Sequence, residues 1–432
     1  MTATGITIDR SKQCGYVRDA ALQSAFDEAA DALRRHDGWT GPPGGEPRLI
    51  ADLALEGGGV KGIGLVGAVL VLDEAGYAFR CVAGTSAGAI AASLIAAVAQ
   101  KNDPVAHPMT DLRHYLESLD FSKFMPEGPI HHFLDHQGGR IGSVVADAAI
   151  LSHNMGLYSG DYLREWLEPI LVGELGVARF GQLLLRPDEH PESLPQGHRY
   201  RLVVHTSDIT RGELARLPWD YDVYGVVADQ QDVVDAVRAS MSIPFFFEPV
   251  TFESQATDVE IPAPGGTTVR QHFDGGTVTW VDGGMLRNFP IDAFDRIDGE
   301  PRWPTIGIKL SSLETDFPAT KACQGSAVPV AIRCIKTMMN EWDAYQVDET
   351  TAGRTIFVDN AGLTATDFHL TQEQQDTLFC NGVAGATNFI IEMARLGHVP
   401  RSAGADLGGI RRTWVTTPAG IPVAEQDQPA AD

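Results

Sequence analysis

The chain has 432 residues, of which 44% are hydrophobic and 21% are charged, so its composition excludes a disordered or fibrous protein. Its formal net charge is −24, from 33 Lys and Arg against 57 Asp and Glu, and no run of Lys and Arg forms a basic stripe. Because binding to nucleic acid depends on such a stripe to displace counterions from phosphates, we expect no nucleic-acid partner.

The first predicted element is a helix at Asp19–Arg35, where apolar residues recur at helical spacing, and a Pro- and Gly-rich linker follows at Gly41–Gly45. From residue 49 onward, short apolar runs alternate with helical ones. In chain order they predict a strand at residues 49–55, a helix at 63–75, a strand at 79–83 and a helix at 87–99.

Residues 101–197 are mixed in pattern, with a helix near 160–171, and we interpret them as an insertion that forms a cap or a pocket wall. Further strands are predicted at residues 200–206, 277–281, 305–310 and 355–359. Because strands alternating with helices are typical of the α/β class, we expect a central, mostly parallel sheet with helices on both faces.

The cysteine spacing predicts no disulfide framework, and the apolar stretches predict no membrane span. The five cysteines form no CxxC pair, so we expect neither a zinc site nor a disulfide framework; they are Cys14, Cys81, Cys323, Cys334 and Cys380. No Sec-type signal is visible in residues 1–9. Residues 81–100 carry no charge and have the length of a span, but their Gly, Ser and Thr favour a strand, a tight turn and a buried helix. We therefore expect a protein located in the cytoplasm or at the periphery of a membrane.

The first motif is the glycine-rich stretch Gly57–Gly62, which follows a predicted strand and opens a helix. Backbone N–H groups at such a turn stabilise negative charge, whether of a phosphate or of an oxyanion. The spacing of Gly57, Gly59 and Gly62 also matches a dinucleotide fingerprint. That fingerprint requires an acidic residue at the end of the second strand, and the chain has Val82, Ala83 and Gly84 there.

The second motif is Gly84-Thr85-Ser86-Ala87-Gly88, a GxSxG pattern at the end of the second predicted strand. Strand, sharp turn and helix is the layout that exposes a nucleophilic serine, with flanking glycines that permit the crowding. A helix cap is the alternative role for Ser86, but a cap does not require glycine two residues away on each side. We favour Ser86 as a nucleophile.

A serine nucleophile requires a base, and none of the 13 histidines lies in an evident motif. A carboxylate is the better candidate, since the predicted strand at residues 277–281 ends in Asp282-Gly283-Gly284. At the carboxyl end of a strand, Asp282 is placed to face the serine across the sheet. The chain contains a second such triplet, Asp274-Gly275-Gly276, which we interpret as a hairpin turn that leads into the strand.

Four blocks follow one another along the chain: Gly57–Gly62, the elbow at Ser86, the stretch Ala236–Val250, and Asp282-Gly283-Gly284 followed by Asn288 and Pro290. In order and spacing they resemble patatin-like phospholipases of the bacterial type. The resemblance covers about residues 51–310 and continues more weakly through residues 354–389. It implies the patatin-like three-layer fold and a Ser86–Asp282 dyad without histidine. In that family the aspartate precedes an Asn-x-Pro, which favours Asp282 over Asp274.

The same resemblance implies that backbone N–H groups of the glycine loop form an oxyanion hole, drawn from Gly57, Gly58, Gly59 and Val60. Lys61 stands where the family often has arginine, and lysine lacks the bidentate fork of arginine. The supporting glycines of the motifs are Gly62, Gly84, Gly88, Gly283 and Gly284. The chemistry requires neither a metal nor a cofactor.

On this basis we divide the chain into a helical extension with its linker (residues 1–48), a catalytic domain (49–395, with the insertion 101–197) and a C-terminal extension with a flexible tail (396–432). The predicted activity is hydrolysis of fatty-acyl esters of phospholipids, lysophospholipids or related lipids, with transient membrane contact. Whether an activating partner or a homo-oligomer is required stays open.

Two other functions stay open. The first is an α/β-hydrolase esterase in which His369 or His398 completes a Ser-His-Asp triad. The second is a phosphate- or nucleotide-binding module that uses the glycine loop. Two further features favour structural roles: Phe245–Phe247 fits a buried strand better than an acyl groove, and Met125–Gly142 fits a solvated loop better than a hinge over the pocket. The histidines of Met125–Gly142 show no tetrahedral ligand spacing.

Overall fold

The computed structural model describes residues 5–12, 14–37, 48–101, 108–124, 156–186, 198–263, 267–295, 303–310, 349–363 and 369–399, and positions 337, 365 and 367. The strands are β1 (Ile6–Ile8), β2 (Tyr16–Arg18), β3 (Leu49–Leu55), β4 (Tyr77–Thr85), β5 (Gly156–Tyr158), β6 (Leu202–Asp208), β7 (Glu213–Leu217), β8 (Phe245–Phe247), β9 (Val250–Ser254), β10 (Thr257–Ala263), β11 (Thr267–Phe273), β12 (Gly276–Asp282), β13 (Thr305–Lys309) and β14 (Thr355–Phe357). The α-helices are α1 (Ala20–Asp37), α2 (Ile63–Glu74), α3 (Ala87–Lys101), α4 (Leu112–Glu117), α5 (Asp161–Glu168), α6 (Val233–Ser240), α7 (Glu349–Ala352) and α8 (Gln372–Leu396).

A mixed sheet with the strand order β14-β13-β3-β4-β6-β12-β9 lies at the centre of the fold, and β7 pairs with β6. The strands from β14 to β6 are parallel to their neighbours. In contrast, β12 runs antiparallel to β6 and β9, and β7 runs antiparallel to β6. Helices pack around this sheet, so the predicted α/β class is confirmed.

Strands β3, β4 and β6 and helix α2 are largely apolar because they lie in the interior of the fold. Every residue of β6 is buried, and α2 is buried from Ile63 to Asp73. The backbones of α2 and α8 touch where the two helices cross. A Cβ atom on Gly67 would lie 2.3 Å from the Phe379 carbonyl oxygen. A Cβ atom on Gly382 would lie 2.0 Å from the Gly64 carbonyl oxygen. Glycine at these positions permits the close approach, which joins the long C-terminal helix to the helix behind the glycine loop.

The N-terminal segment packs on α8. Tyr16, Phe26 and Leu33 are buried in the same apolar core as the sheet strands. The buried Arg18 forms an ion pair of 2.9 Å with Glu74 of α2 and donates a hydrogen bond of 3.0 Å to Thr387 of α8. The domain boundary near residue 48 stays a prediction.

One predicted turn is wrong. Asp274-Gly275-Gly276 does not close a hairpin, because β11 pairs with β10 in a separate two-stranded sheet, whereas β12 pairs with β9 and β6 in the central sheet. Two consecutive strands are a hairpin only if they pair with each other. The turn therefore carries the chain from one sheet to another.

The apolar, uncharged residues 81–100 form the end of β4, a turn at Ser86 and most of α3, as predicted. No helix in the described ranges combines the length and the hydropathy that a membrane crossing requires. The predicted linker Gly41–Gly45, the histidine-containing segment Met125–Gly142 and the C-terminal tail lie outside the described residues.

Candidate active site

Ser86 lies in a strained turn between β4 and α3. Its φ angle is +53°, in the left-handed region, and the residue is 2% exposed. A Cβ atom on Gly84 would lie 2.2 Å from the Gly88 carbonyl oxygen, and one on Gly88 would lie 2.4 Å from the Leu55 carbonyl oxygen. The flanking glycines are therefore required because the start of α3 touches the ends of both β4 and β3. Strain of this kind at a polar residue is typical of a functional site, and the layout is that of a nucleophile elbow.

The side chain of Asp282 is buried at the end of β12, with 0% exposure. Its Oδ1 accepts a hydrogen bond of 2.7 Å from the Gly284 N–H, while Oδ2 is buried and has no hydrogen-bond partner among the described residues. Burial raises the pKa of Asp282 to about 7, although the Gly284 N–H and the nearby Ser86 hydroxyl act to lower it. Asp282 thus presents an unused acceptor oxygen whose pKa suits a general base near neutral pH.

Strand register brings Ser86 and Asp282 together. Thr85, the residue before Ser86, pairs with His205 on β6, and Asp282 pairs with Thr206, the next residue on β6. One strand therefore separates the two residues at nearly the same height in the sheet. The sequence predicted that Asp282 faces Ser86 because both follow the carboxyl ends of parallel strands. That reason is wrong, because β12 runs antiparallel to β6. Asp282 reaches the site because β12 ends level with Thr85.

The glycine loop follows β3 and lies against the elbow, since a Cβ atom on Gly57 would be 3.1 Å from Cβ of Ser86. A short 3₁₀ helix, Gly59–Gly62, leads into α2, and Gly59 has a φ angle of +54°. The Gly57 N–H donates to the Asn288 carbonyl oxygen at 3.0 Å, and the Val60 N–H donates to that of Ala365 at 3.3 Å. The N–H groups of Gly58 and Gly59 make no hydrogen bond to another described residue.

Lys61 lies beside the loop, with its Cε atom 3.4 Å from where a Cβ atom of Gly58 would be. Burial lowers the pKa of Lys61, while Glu56 acts in the opposite direction. Glu56 itself is engaged by the Lys309 ammonium and the Leu310 N–H. In the part of the chain that the structure describes, Lys61 forms no ion pair.

An apolar pocket opens beside Ser86 and contains about 590 Å³ of empty space with its mouth included. Helices α3 and α4, the glycine loop and the segment before β8 contribute its walls. The pocket is lined by Gly59, Gly62, Ile63, Ser86, Ala87, Ile90, Leu116, Leu119, Phe124, Met241, Ile243 and Phe247. Because the lining is almost wholly apolar, it suits a hydrocarbon chain.

A model of the patatin-like phospholipase family matches residues 53–295, more than half of the chain. The chain belongs to the patatin-like phospholipase family. Membership of this family implies hydrolysis of lipid ester bonds. The chain is also 33% identical over 327 residues to the uncharacterized protein YqhO of Bacillus subtilis, which covers 76% of this chain and 93% of YqhO.

Two solved structures are similar to this patatin-like phospholipase at low sequence identity. VipD from Legionella pneumophila is 17% identical with a TM-score of 0.39, and the match covers 81% of this chain and 69% of VipD. The type III effector protein ExoU, from Pseudomonas aeruginosa, is 15% identical with a TM-score of 0.37 over 81% of this chain and 54% of ExoU.

No histidine ring is hydrogen-bonded to Ser86 or Asp282 in the described part of this family member. His205 is buried on the strand between them, and neither ring nitrogen has a hydrogen-bond partner among the described residues. His369 and His398, the candidates for a triad, are both exposed. Within the described ranges, no three His, Cys, Asp or Glu side chains are grouped to hold a metal ion.

Sequence reasoning did not identify three polar residues that contact the site from α6 and the turn after it: Arg238, Ser240 and Ser242. All three fall in the stretch Ala236–Val250 that carries part of the family resemblance, which was the available signal. Phe247, from the same stretch, lies on strand β8 and also lines the pocket.

Proposed function

We propose that the chain is a serine acyl hydrolase that cleaves fatty-acyl esters of phospholipids or lysophospholipids, with Ser86 as nucleophile and Asp282 as base. The observation that carries the proposal is the buried Oδ2 of Asp282, which has no hydrogen-bond partner among the described residues and lies near the hydroxyl of Ser86, a serine in a left-handed elbow. A buried carboxylate oxygen without a partner is costly, so such an arrangement favours a functional role over a structural one.

In this mechanism the carboxylate of Asp282 removes the proton from the Ser86 hydroxyl as Oγ attacks the ester carbonyl carbon. A Ser86–carbonyl bond forms, and the carbonyl π electrons move to oxygen to give a tetrahedral oxyanion. Collapse of this intermediate expels the alcohol, which takes the proton from Asp282, and leaves an acyl-Ser86 ester. Water then repeats both steps and releases the fatty acid.

The N–H groups of Gly58 and Gly59 stabilise the oxyanion, because they are the donors of the loop without a hydrogen-bond partner in the described residues. Each such donor is worth about 2.7–4 kcal/mol in sites of this kind. The N–H groups of Gly57 and Val60 hold the loop in place through Asn288 and Ala365.

The apolar pocket supports the choice of a fatty-acyl ester as the substrate class. Ser86 lines it, and Leu116, Leu119 and Phe124 of the region 101–197 form part of its wall. Burial of one methylene group in such a lining stabilises the complex by about 0.8 kcal/mol, so a long acyl chain is bound far better than acetate.

Labelling with a fluorophosphonate probe tests the proposal, since the probe reacts with activated serines. We expect labelling of the wild-type protein, no labelling of Ser86→Ala, and at least a hundredfold slower labelling of Asp282→Asn. Ser93→Ala is the matched control, because Ser93 is equally buried but its hydroxyl bonds, among the described residues, to the Ile90 carbonyl oxygen at 2.8 Å and not to the dyad. Folded wild-type protein that stays unlabelled in the presence and absence of lipid vesicles would contradict the proposal.

The His369→Ala and His398→Ala variants distinguish the dyad from a Ser-His-Asp triad. We expect both variants to hydrolyse a p-nitrophenyl ester at close to the wild-type rate. Loss of activity in either one, with the fold retained, excludes the dyad in favour of the triad.

A further inference from the structure

The turn at the end of α6 touches both members of the proposed dyad. The Ser240 Oγ accepts a hydrogen bond of 2.9 Å from the Ser86 backbone N–H. Two residues later, the Ser242 carbonyl oxygen accepts a hydrogen bond of 2.9 Å from the Asp282 backbone N–H. Three consecutive residues therefore link the nucleophile to the base, although Ser86 and Asp282 are distant in sequence.

The Ser240 hydroxyl is held in one orientation. Ser240 is 0% exposed, and its Oγ donates a hydrogen bond of 2.6 Å to the His205 carbonyl oxygen. A hydroxyl has one proton, and in Ser240 this bond directs it toward the backbone carbonyl oxygen of His205. A lone pair of the Ser240 Oγ is therefore directed toward the Ser86 N–H. His205 is also the strand partner of Thr85, so the bond anchors the elbow to β6 at the level of the nucleophile.

Ser86 depends on this acceptor because of its conformation. A residue with φ of +53° lies outside both the strand before it and the helix after it, and neither ladder accepts its N–H. A buried N–H without an acceptor is unfavourable, so removal of the Ser240 hydroxyl favours a different backbone conformation at Ser86.

The other end of the turn is fixed by the buried side chain of Arg238. The guanidinium donates hydrogen bonds to the Ser242 Oγ, to the Ser159 carbonyl oxygen and, at 3.0 Å, to the Glu248 carbonyl oxygen. The Ser242 Oγ donates in return to the Arg238 carbonyl oxygen at 2.9 Å. The residue whose carbonyl oxygen accepts from the Asp282 N–H is therefore itself bonded to Arg238 through its side chain.

We propose that Ser240 is a positioning residue for the reaction, and that residues 240–242 set the separation between the Ser86 Oγ and the Asp282 carboxylate. This inference rests on the proposed function. Its particular consequence is that loss of the Ser240 hydroxyl slows the chemical step while substrate binding in the apolar pocket is retained.

The test compares Ser240→Ala with Ser240→Thr, which restores a hydroxyl, and with Ser93→Ala, the deletion of an equally buried hydroxyl remote from the dyad. We expect kcat for a p-nitrophenyl ester to fall about 10- to 100-fold in Ser240→Ala, since small misplacements of reacting groups have effects of this size. KM of Ser240→Ala should differ from that of the wild type by less than about twofold. The kcat of Ser240→Thr should be about tenfold higher than that of Ser240→Ala, and Ser93→Ala should have the kcat of the wild type.

A second readout does not depend on activity. Hydrogen exchange of the Ser86 amide, resolved by NMR, should be slow in the wild type and in Ser93→Ala but at least tenfold faster in Ser240→Ala. If Ser240→Ala does not fold, Ser240→Cys replaces it, because a thiol of similar size is a much weaker acceptor.

The two readouts separate the two ways of failing. A folded wild type without esterase activity overturns the proposed function, and unchanged exchange at Ser86 in Ser240→Ala overturns the positioning role whether or not the protein is active. If Ser240→Ala and the wild type have equal kcat values, the positioning role is overturned and the proposed function is not. The same holds if Ser93→Ala loses as much kcat as Ser240→Ala.

Discussion

Asn288 and Gly57 hold each other by two hydrogen bonds in opposite directions. The Gly57 N–H donates to the Asn288 carbonyl oxygen at 3.0 Å, and the Asn288 Nδ2 donates to the Gly57 carbonyl oxygen at 3.0 Å. The pair joins the turn after Asp282 to the start of the glycine loop. The asparagine of the Asn-x-Pro segment therefore has a physical role, since it places the loop against the elbow.

We predict that Asn288→Ala lowers kcat about tenfold, because the side-chain half of this clamp is lost and the N–H groups of Gly58 and Gly59 are held less accurately. Steady-state kinetics with a p-nitrophenyl ester measure the effect. The free energy of unfolding should fall by about 1–3 kcal/mol, because the buried Gly57 carbonyl oxygen loses its donor. A folded variant with unchanged kcat would show that the clamp does not act on the loop.

The pH dependence of kcat/KM should report on Asp282. Burial raises the pKa of this carboxyl to about 7, and only the ionised form accepts the serine proton. We therefore expect kcat/KM to rise about tenfold for each pH unit below 7 and to level off above it. A profile with an apparent pKa near 4 would mean that Asp282 is solvated or is not the base.

Asp282→Asn should be more stable than the wild type, and increasingly so as the pH rises. The pKa of Asp282 is 3.8 in the unfolded chain and about 7 in the folded protein, so between these values the folded state retains a proton that the unfolded state releases. Wild-type stability therefore falls as pH increases through this window, by about 1.4 kcal/mol per pH unit, and the neutral amide removes the effect. Chemical denaturation at pH 5 and pH 8 should show the advantage of the variant growing by on the order of 2–3 kcal/mol. A constant difference at the two pH values would contradict the raised pKa.

Phe124→Leu should shift the preference of the enzyme toward longer acyl chains. Phe124 lines the pocket and packs edge-on against Phe247 at a centroid distance of 5.9 Å, so a smaller side chain enlarges the apolar space. Each additional methylene that becomes buried is worth about 0.8 kcal/mol, or about fourfold in kcat/KM. A series of p-nitrophenyl esters from C4 to C16 measures the shift.

Phe180→Leu is the control for this experiment, because Phe180 is fully buried against Tyr200 and Tyr221 and does not line the pocket. It should lose stability but keep the wild-type chain-length profile. The same shift in both variants would mean that the pocket beside Ser86 does not receive the acyl chain.

The net charge of −24 predicts a preference among membranes. We expect faster release of fatty acid from zwitterionic phosphatidylcholine vesicles than from strongly anionic ones at low salt, because the protein and an anionic surface repel each other. Added salt should reduce the difference, since it screens charges beyond about 10 Å. Faster turnover on anionic vesicles at low salt would require a local basic patch that overrides the net charge.

The sequence by itself determined the local features. Apolar periodicity predicted the strand at Leu49–Leu55, the helix that starts at Ile63 and the strand, turn and helix around Ser86, because such patterns depend on neighbouring residues alone. The ordered motifs also predicted the family, and with it Asp282 as the candidate base.

The tertiary structure alone decided how these features meet. The direction of β12 and its register with β6 place Asp282 level with Thr85, and they follow from strand pairing between distant segments, on which local patterns carry no information. The same holds for Ser240 and Ser242, whose partners lie elsewhere in the chain. The raised pKa of Asp282 arises from burial, which exists only once the surrounding elements have packed.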